Sequence, residues 1–187
     1  MIDGSAAAID SVVELAEKAR REGLLALEDA VRAVEEPFLR RGLELAIDGT
    51  DPEELRDVLE GEISAKRKAD KAGAKFFTDM GGYAPTIGII GTVIGLVHVL
   101  ENLGEPEKLG HMIAAAFVAT LWGVLSANLL WLPLGNKIKR ISDLQCQHLE
   151  LLVEGILAIQ SGASPRVVAR RLRSLLPPGS LAEEEAA

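Results

Sequence analysis

Two stretches of this chain carry no Asp, Glu, Lys or Arg: Met80–Leu100, 21 residues, and Leu109–Asn136, 28 residues. A helix of the first length is about 31 Å long, close to one hydrocarbon thickness, and the second is long enough to cross with tilt. The alternative is a pair of buried core helices, which needs a broad shell of amphipathic helices around both. The rest of the chain is too short and too charged to supply one, since residues 1–79 hold 19 of the 28 acids and 12 of the 20 bases. That segregation explains how 26% charged residues coexist with a mean hydropathy of +0.19. Two membrane spans are expected, at about 83–101 and 110–134. Neither reads as a secretory signal, because both lie far from Met1-Ile2-Asp3-Gly4, which has no basic segment followed by an apolar core.

The flanks set an orientation. Lys66, Arg67, Lys68, Lys71 and Lys75 precede the first stretch, and Lys137, Lys139 and Arg140 follow the second. The short loop between them holds Glu101, Glu105 and Glu107 against Lys108 alone. Orientation follows the Lys/Arg bias, so the expectation is a hairpin with both termini in the cytoplasm and the acidic loop outside. A net charge of −8 and a pI near 5.0 argue against a general nucleic-acid binder. Cys146, the one cysteine, excludes a disulfide framework, and His98, His111 and His148 lack the close spacing of a metal cluster. No phosphate-binding glycine loop, nucleophile elbow or H-E-x-x-H helix occurs. No catalytic, cofactor or metal residues are assigned, and the chain is not expected to be an enzyme.

Small residues are patterned within the spans. Gly88, Gly91 and Gly95 fall at steps of three and four, and Ala115, Ala119, Gly123 and Ala127 repeat every four. Such stripes let membrane helices approach closely, so packing against other membrane helices is expected. Thr92 shares a face with Gly88, and Thr120 borders the other stripe. Spacing leaves two readings for these hydroxyls, a bond to their own helix backbone or a polar pathway. Pro85 is read as opening the first span, whereas Pro133 lies inside a helical run and should kink it, as a static bend or as a hinge. The spans contain no carboxylate, so any ion transport requires one from a partner.

Outside the spans the pattern is helical throughout. Ile9 to about Val34 reads as one helix with Gly23 tolerated inside it. Asp51-Pro52-Glu53-Glu54 starts a second, running towards Thr78 and feeding the first span after Gly81-Gly82. A helical run from about Glu107 to Gln160 stops at Ser161-Gly162, and Ser164-Pro165 caps a short helix bearing Arg166, Arg170, Arg171 and Arg173. No strand pattern occurs. The expected fold is all-α: a cytoplasmic helical region (1–79), a membrane hairpin (80–136), a cytoplasmic extension (137–176) and a disordered tail (177–187).

With these features in view, Lys18-Ala19-Arg20-Arg21-Glu22-Gly23-Leu24-Leu25-Ala26-Leu27-Glu28 resembles the cytoplasmic segment of the MotA family of flagellar motor stator subunits. Tyr83-Ala84-Pro85-Thr86-Ile87-Gly88-Ile89-Ile90-Gly91-Thr92-Val93-Ile94-Gly95-Leu96 is similar to that family's third membrane helix. Phe117-Val118-Ala119-Thr120-Leu121-Trp122-Gly123, with Ser126-Ala127-Asn128 and Leu132-Pro133, is similar to its fourth. The resemblance covers roughly Ile9 to Gly162. It implies a ring, generally of five copies, around a dimer of a MotB-like subunit in the bacterial inner membrane. Proton or sodium flow past an aspartate of that subunit would drive rotation of a FliG-like rotor protein.

Further implications of the resemblance attach to single residues. Arg20 and Glu28 fall on the family's charged rotor-facing positions, although by themselves they read as a solvated helix face. Pro85 and Pro133 fall on the prolines that couple ion passage to cytoplasmic movement, and Thr92 and Thr120 fall beside the ion path. Family members have two membrane helices before the first cytoplasmic segment. The resemblance therefore implies that this chain is an N-terminally truncated form, expected not to assemble a working stator alone. Two other functions remain open at this point: a TolQ/ExbB-like energiser of envelope transport, which lacks the Arg20-to-Glu28 run, and a non-conducting helical membrane scaffold.

Overall fold

The predicted helix start at Asp51 is present. In the computed structural model, which describes residues 3–176, Asp51 Oδ1 accepts from the Glu53 amide at 2.9 Å and Pro52 opens the helix. In chain order the elements are α1 (Asp3–Glu22), a 3-10 turn (Leu24–Leu27), α2 (Glu28–Arg32), α3 (Pro37–Ile47), α4 (Pro52–Glu101), α5 (Pro106–Ser126), a π-helical segment (Ala127–Trp131), α6 (Leu132–Gln160) and α7 (Pro165–Arg173). The described residues are all-α, without a strand. The tail expected to be disordered, 177–187, lies outside them.

Four sequence expectations change. The run from Ile9 to Val34 is not one helix, because Gly23 takes φ +88°, a left-handed conformation that ends α1 and turns the chain into the 3-10 segment. Gly81-Gly82 does not interrupt α4, which runs unbroken for 50 residues. Pro85 therefore does not open a helix but lies inside one, where it cannot donate to the Gly81 carbonyl four residues back. At the start of α7, Ser164 occupies the capping position and Pro165 follows, but the Ser164 hydroxyl makes no capping bond.

Helix α3 has no counterpart in the sequence reading. Glu36 Oε1 accepts from the Phe38 amide and Pro37 takes the first position. Phe38, Leu39, Gly42, Leu43 and Ala46 form its buried face, at the spacing of an amphipathic helix.

The chain divides into two compact units. One, the bundle, combines residues up to Lys66 with those from Leu144 onward. Its core includes Val12, Leu27, Leu39, Leu43, Leu55, Leu59, Leu152, Ile156, Ile159, Val168 and Leu172. Two glycines permit close helix approach: a Cβ on Gly155 would lie 2.8 Å from Val12 Cγ1, and one on Gly42 would lie 2.4 Å from Ile156 Cδ1. Glu154 joins three elements, bonding Arg56 of α4 at 2.9 Å and pairing with Arg171 of α7. The hydrogen bond to Glu154 raises the Arg56 pKa above its ordinary value, so Arg56 is charged at any physiological pH. Because both arginines are more than a third exposed, solvent screens the network, and Glu154→Ala should lower bundle stability by about 1 kcal/mol in chemical denaturation.

The other unit, Arg67–Asp143, is a hairpin of two long antiparallel helices. The helical runs that form it, Pro52–Glu101 and Pro106–Gln160, are each long and apolar enough to cross a membrane, and only 17% of the most apolar window of each is buried. Ile87, Ile90 and Ile94 on α4, and Phe117, Leu121 and Trp122 on α5, are exposed.

Candidate functional site

The hairpin closes along a seam of small residues. A Cβ on Gly88 would lie 2.8 Å from the Ala119 carbonyl oxygen, 3.1 Å from Thr120 Cα and 3.2 Å from Gly123 Cα. One on Gly91 would meet Ala119 Cβ at 2.9 Å, and one on Gly123 would meet the Ala84 carbonyl oxygen at 2.6 Å. Backbone therefore touches backbone, which only glycine at these positions permits. The stripe expected to seek other membrane helices is occupied within this chain, by the second helix of the same hairpin.

One member differs from expectation. Gly95 meets Ala116 rather than Ala115, with a Cβ 2.7 Å from Ala116 Cβ; Ala116 is buried and Ala115 is exposed. A constant step of four drifts by about 40° per step around a helix, so the seam uses alternating steps of three and four instead. It runs through Ala116, Thr120, Gly123 and the buried Ala127. It also extends past the residues the sequence singled out. A Cβ on Gly81 would collide with Leu132 at 2.6 Å, and one on Gly135 with Thr78 Cγ2 at 2.7 Å. Beyond these, the buried Ser142 donates to Asp70 Oδ2 at 2.8 Å. Isolated glycines inside a helical pattern were the available signal for Gly81 and Gly135.

Thr92 and Thr120 face each other across this seam, with their hydroxyl oxygens 2.5 Å apart. Thr92 Oγ1 is also 2.9 Å from the Ala116 carbonyl oxygen and 3.2 Å from that of Gly88, and Thr120 Oγ1 is 3.3 Å from Gly88 O. Each hydroxyl has one proton to donate, so the pair can be satisfied in opposite donor orders. Thr120 donates to Thr92, which donates to Ala116 O; or Thr92 donates to Thr120, which donates to Gly88 O. The proton order can reverse without either oxygen moving. Both side chains are half-buried, and neither uncharged stretch of the hairpin supplies a carboxylate to this cluster. Two hydroxyls bridging two backbone carbonyl oxygens can relay a proton or share in cation hydration, but they contribute no fixed charge.

The two prolines fall on different backgrounds. Pro85 interrupts the hydrogen bonding of a continuous α4. Pro133 follows the π-helical segment Ala127–Trp131, in which the Leu132 amide reaches Ala127 O, five residues back. The sequence predicted a kink at Pro133, and the backbone there is a widened turn directly before the proline. Outside the uncharged stretches, Lys75 bonds Asp79 at 2.5 Å, which raises the Lys75 pKa.

Arg20 and Glu28 lie in the bundle, on the last turn of α1 and the first residue of α2. Both are exposed, and neither side chain has an ion-pair or hydrogen-bond partner among the described residues. The neighbouring Asp29, by contrast, lies 4.0 Å from Arg32.

Residues 30–151 match the MotA/TolQ/ExbB proton channel family. Motility protein A of Bacillus subtilis (strain 168) is 44% identical over 164 residues, covering 88% of this chain and 61% of that protein. Chemotaxis protein PomA of Vibrio alginolyticus is 34% identical over 176 residues, covering 94% of this chain and 69% of PomA. The structure of the flagellar MotAB stator complex from Bacillus subtilis has a chain that matches with a TM-score of 0.86 at 41% identity, over 97% of this chain and 69% of its own length. A chain of C. jejuni MotAB matches with a TM-score of 0.89 at 30% identity. The present chain thus spans about three fifths of the Bacillus subtilis motility protein. From its sequence over residues 30–151 and its helical architecture, the chain belongs to the MotA/TolQ/ExbB proton channel family.

Proposed function

We propose that this chain is the hairpin and cytoplasmic bundle of a MotA-like stator subunit, part of a complex that converts proton or sodium flow into flagellar torque. The likeness to MotAB stator structures carries the reading. The exposed apolar faces of α4 and α5 support a location in the bacterial inner membrane, because lipid or neighbouring membrane helices would cover them. The basic residues flanking both spans support cytoplasmic termini and an external acidic loop.

Around this hairpin we assign a five-membered ring enclosing a MotB-like subunit. The hairpin's uncharged stretches contain no carboxylate, so the ion-binding aspartate belongs to that partner. Thr92 and Thr120 would line the path beside it, offering hydroxyls whose donor order is reversible. Pro85 and Pro133 would couple ion passage to movement of the bundle, where Arg20 and Glu28 would meet opposite charges on a FliG-like rotor protein.

The test is swimming in the bacterium that carries this gene, with the gene intact, deleted or substituted. Arg20→Glu and Glu28→Lys should each reduce swimming speed several-fold while the protein still inserts in the membrane at normal abundance. Normal swimming in both variants and in their double combination would remove the rotor assignment. Swimming that does not depend on the gene would remove the stator reading itself.

A further inference from the structure

We infer that Leu25 is the apolar anchor by which the bundle grips its rotor partner, with Arg20 and Glu28 setting orientation around it. The inference rests on the rotor-facing reading of those two charges. Leu25 is 72% exposed, the highest value for a large apolar side chain among the described residues of the bundle. A lone exposed leucine is ordinary on a protein surface. What distinguishes this one is the turn that carries it. Gly23, at φ +88°, ends α1, and its amide still bonds Ala19 O at 2.8 Å, while Ala26 N reaches back to Gly23 O. Leu24 packs against the core and Leu27 is fully buried, so the turn is pinned on both sides of the residue it presents. A turn already fixed in this way has little backbone freedom left to lose when a partner covers the side chain it presents.

The charges beside it identify the occupant. Arg20 and Glu28 bracket the turn, both exposed and both without an ion-pair partner among the described residues. The complementary surface is an apolar depression on a protein, with an acidic side chain placed for Arg20 and a basic one for Glu28. Exposed ion pairs are weak and screened by salt, and they act chiefly on encounter and orientation. Affinity at such interfaces is concentrated in a few desolvated residues ringed by near-neutral contacts that exclude water; Trp, Tyr and Arg are the commonest of these and leucine is rarer, so it is the fixed turn that singles out Leu25. Leu25 is placed to be that anchor.

The experiment uses the full-length subunit assembled with its MotB-like partner in lipid nanodiscs, titrated with the FliG-like rotor protein at low and high salt. Leu25→Ala should weaken binding roughly tenfold, about 1.4 kcal/mol, at both salt concentrations. Leu25→Met should stay within about twofold of wild type. Arg20→Ala and Glu28→Ala should weaken binding mainly at low salt. Wild-type affinity for Leu25→Ala at both salt concentrations overturns the inference and leaves the rotor reading standing. Fragmentation of the ring by Leu25→Ala, seen as a smaller particle mass, also overturns it, because the occupant is then a second copy of this chain. An absence of rotor binding by the wild-type complex removes the rotor reading and the inference together.

Discussion

Gly88→Leu should prevent the hairpin from closing and abolish assembly of the complex. The three atoms nearest a Cβ at this position are all backbone: Ala119 O, Thr120 Cα and Gly123 Cα, at 2.8 to 3.2 Å. Backbone cannot rotate aside as the tip of a side chain can, so the whole facing helix must move away. In the membrane location proposed above, no hydrophobic drive would oppose that separation, because association there rests on close packing and a few hydrogen bonds. Moving α5 would also part Thr120 from Thr92, leaving hydroxyls to find new partners in an apolar setting. Even Gly88→Ala should cost about 1–3 kcal/mol as an overpacked contact. Gly82→Ala is the control: it lies in the same helix with nothing within 4 Å, and the better helix propensity of alanine should leave stability unchanged or slightly higher. The measurement is thermal stability of the purified complex together with its recovery from membranes. A Gly88→Leu protein that assembles in normal yield would mean that this seam is not where the helices meet.

Leu152→Asp should unfold the bundle. Leu152 is fully buried in α6, within a core shared by α1, α3, α4 and α7. The substitution removes a buried leucine, by itself worth about 2–5 kcal/mol, and introduces a carboxylate without a partner at a further cost of several. A domain's whole stability is about 5–15 kcal/mol, so little or none remains. Limited proteolysis should cut between α1 and α3 much faster in this variant than in the wild type. Leu152→Met, which conserves volume, should cost less than about 1.5 kcal/mol and retain protease resistance. Resistance in Leu152→Asp equal to that of wild type would place Leu152 outside the core.

The parts of this structure visible in the sequence are those written in local chemistry. The start at Asp51-Pro52 depends on a short-range capping bond, and the two long apolar helices depend on runs without charge. What was hidden depends on contacts across the chain or on the backbone itself. A glycine in a helical pattern can be tolerated within the helix or end it; Gly61 and Gly73 lie inside α4, while Gly23 adopts positive φ and ends α1. Helix α3 is absent from the sequence reading although its signals are local: Glu36-Pro37 marks its start, and Phe38, Leu39, Leu43 and Ala46 follow at helical spacing. Ala116 replaced Ala115 because a repeat of four, regular along the sequence, is not straight along a helix. The pairing of Thr92 with Thr120 needed the register of two antiparallel helices, which only the seam glycines establish.

The π-helical segment before Pro133 has a consequence for how this chain must be counted. The seam residues Ala116 and Gly123, and Thr120 and Ala127, are seven apart, as are Gly135 and Ser142. From Ala127 to Gly135 the interval is eight, which in an unbroken α-helix would turn Gly135 about 80° off the seam. A π turn absorbs one additional residue, about 100° of rotation, so the eight residues cover the azimuth of seven. Ala127 and Gly135 are consequently both buried, on one continuous line. The segment is a phase adapter, and the two halves of the facing helix share one heptad frame only because five residues between them are wound more loosely.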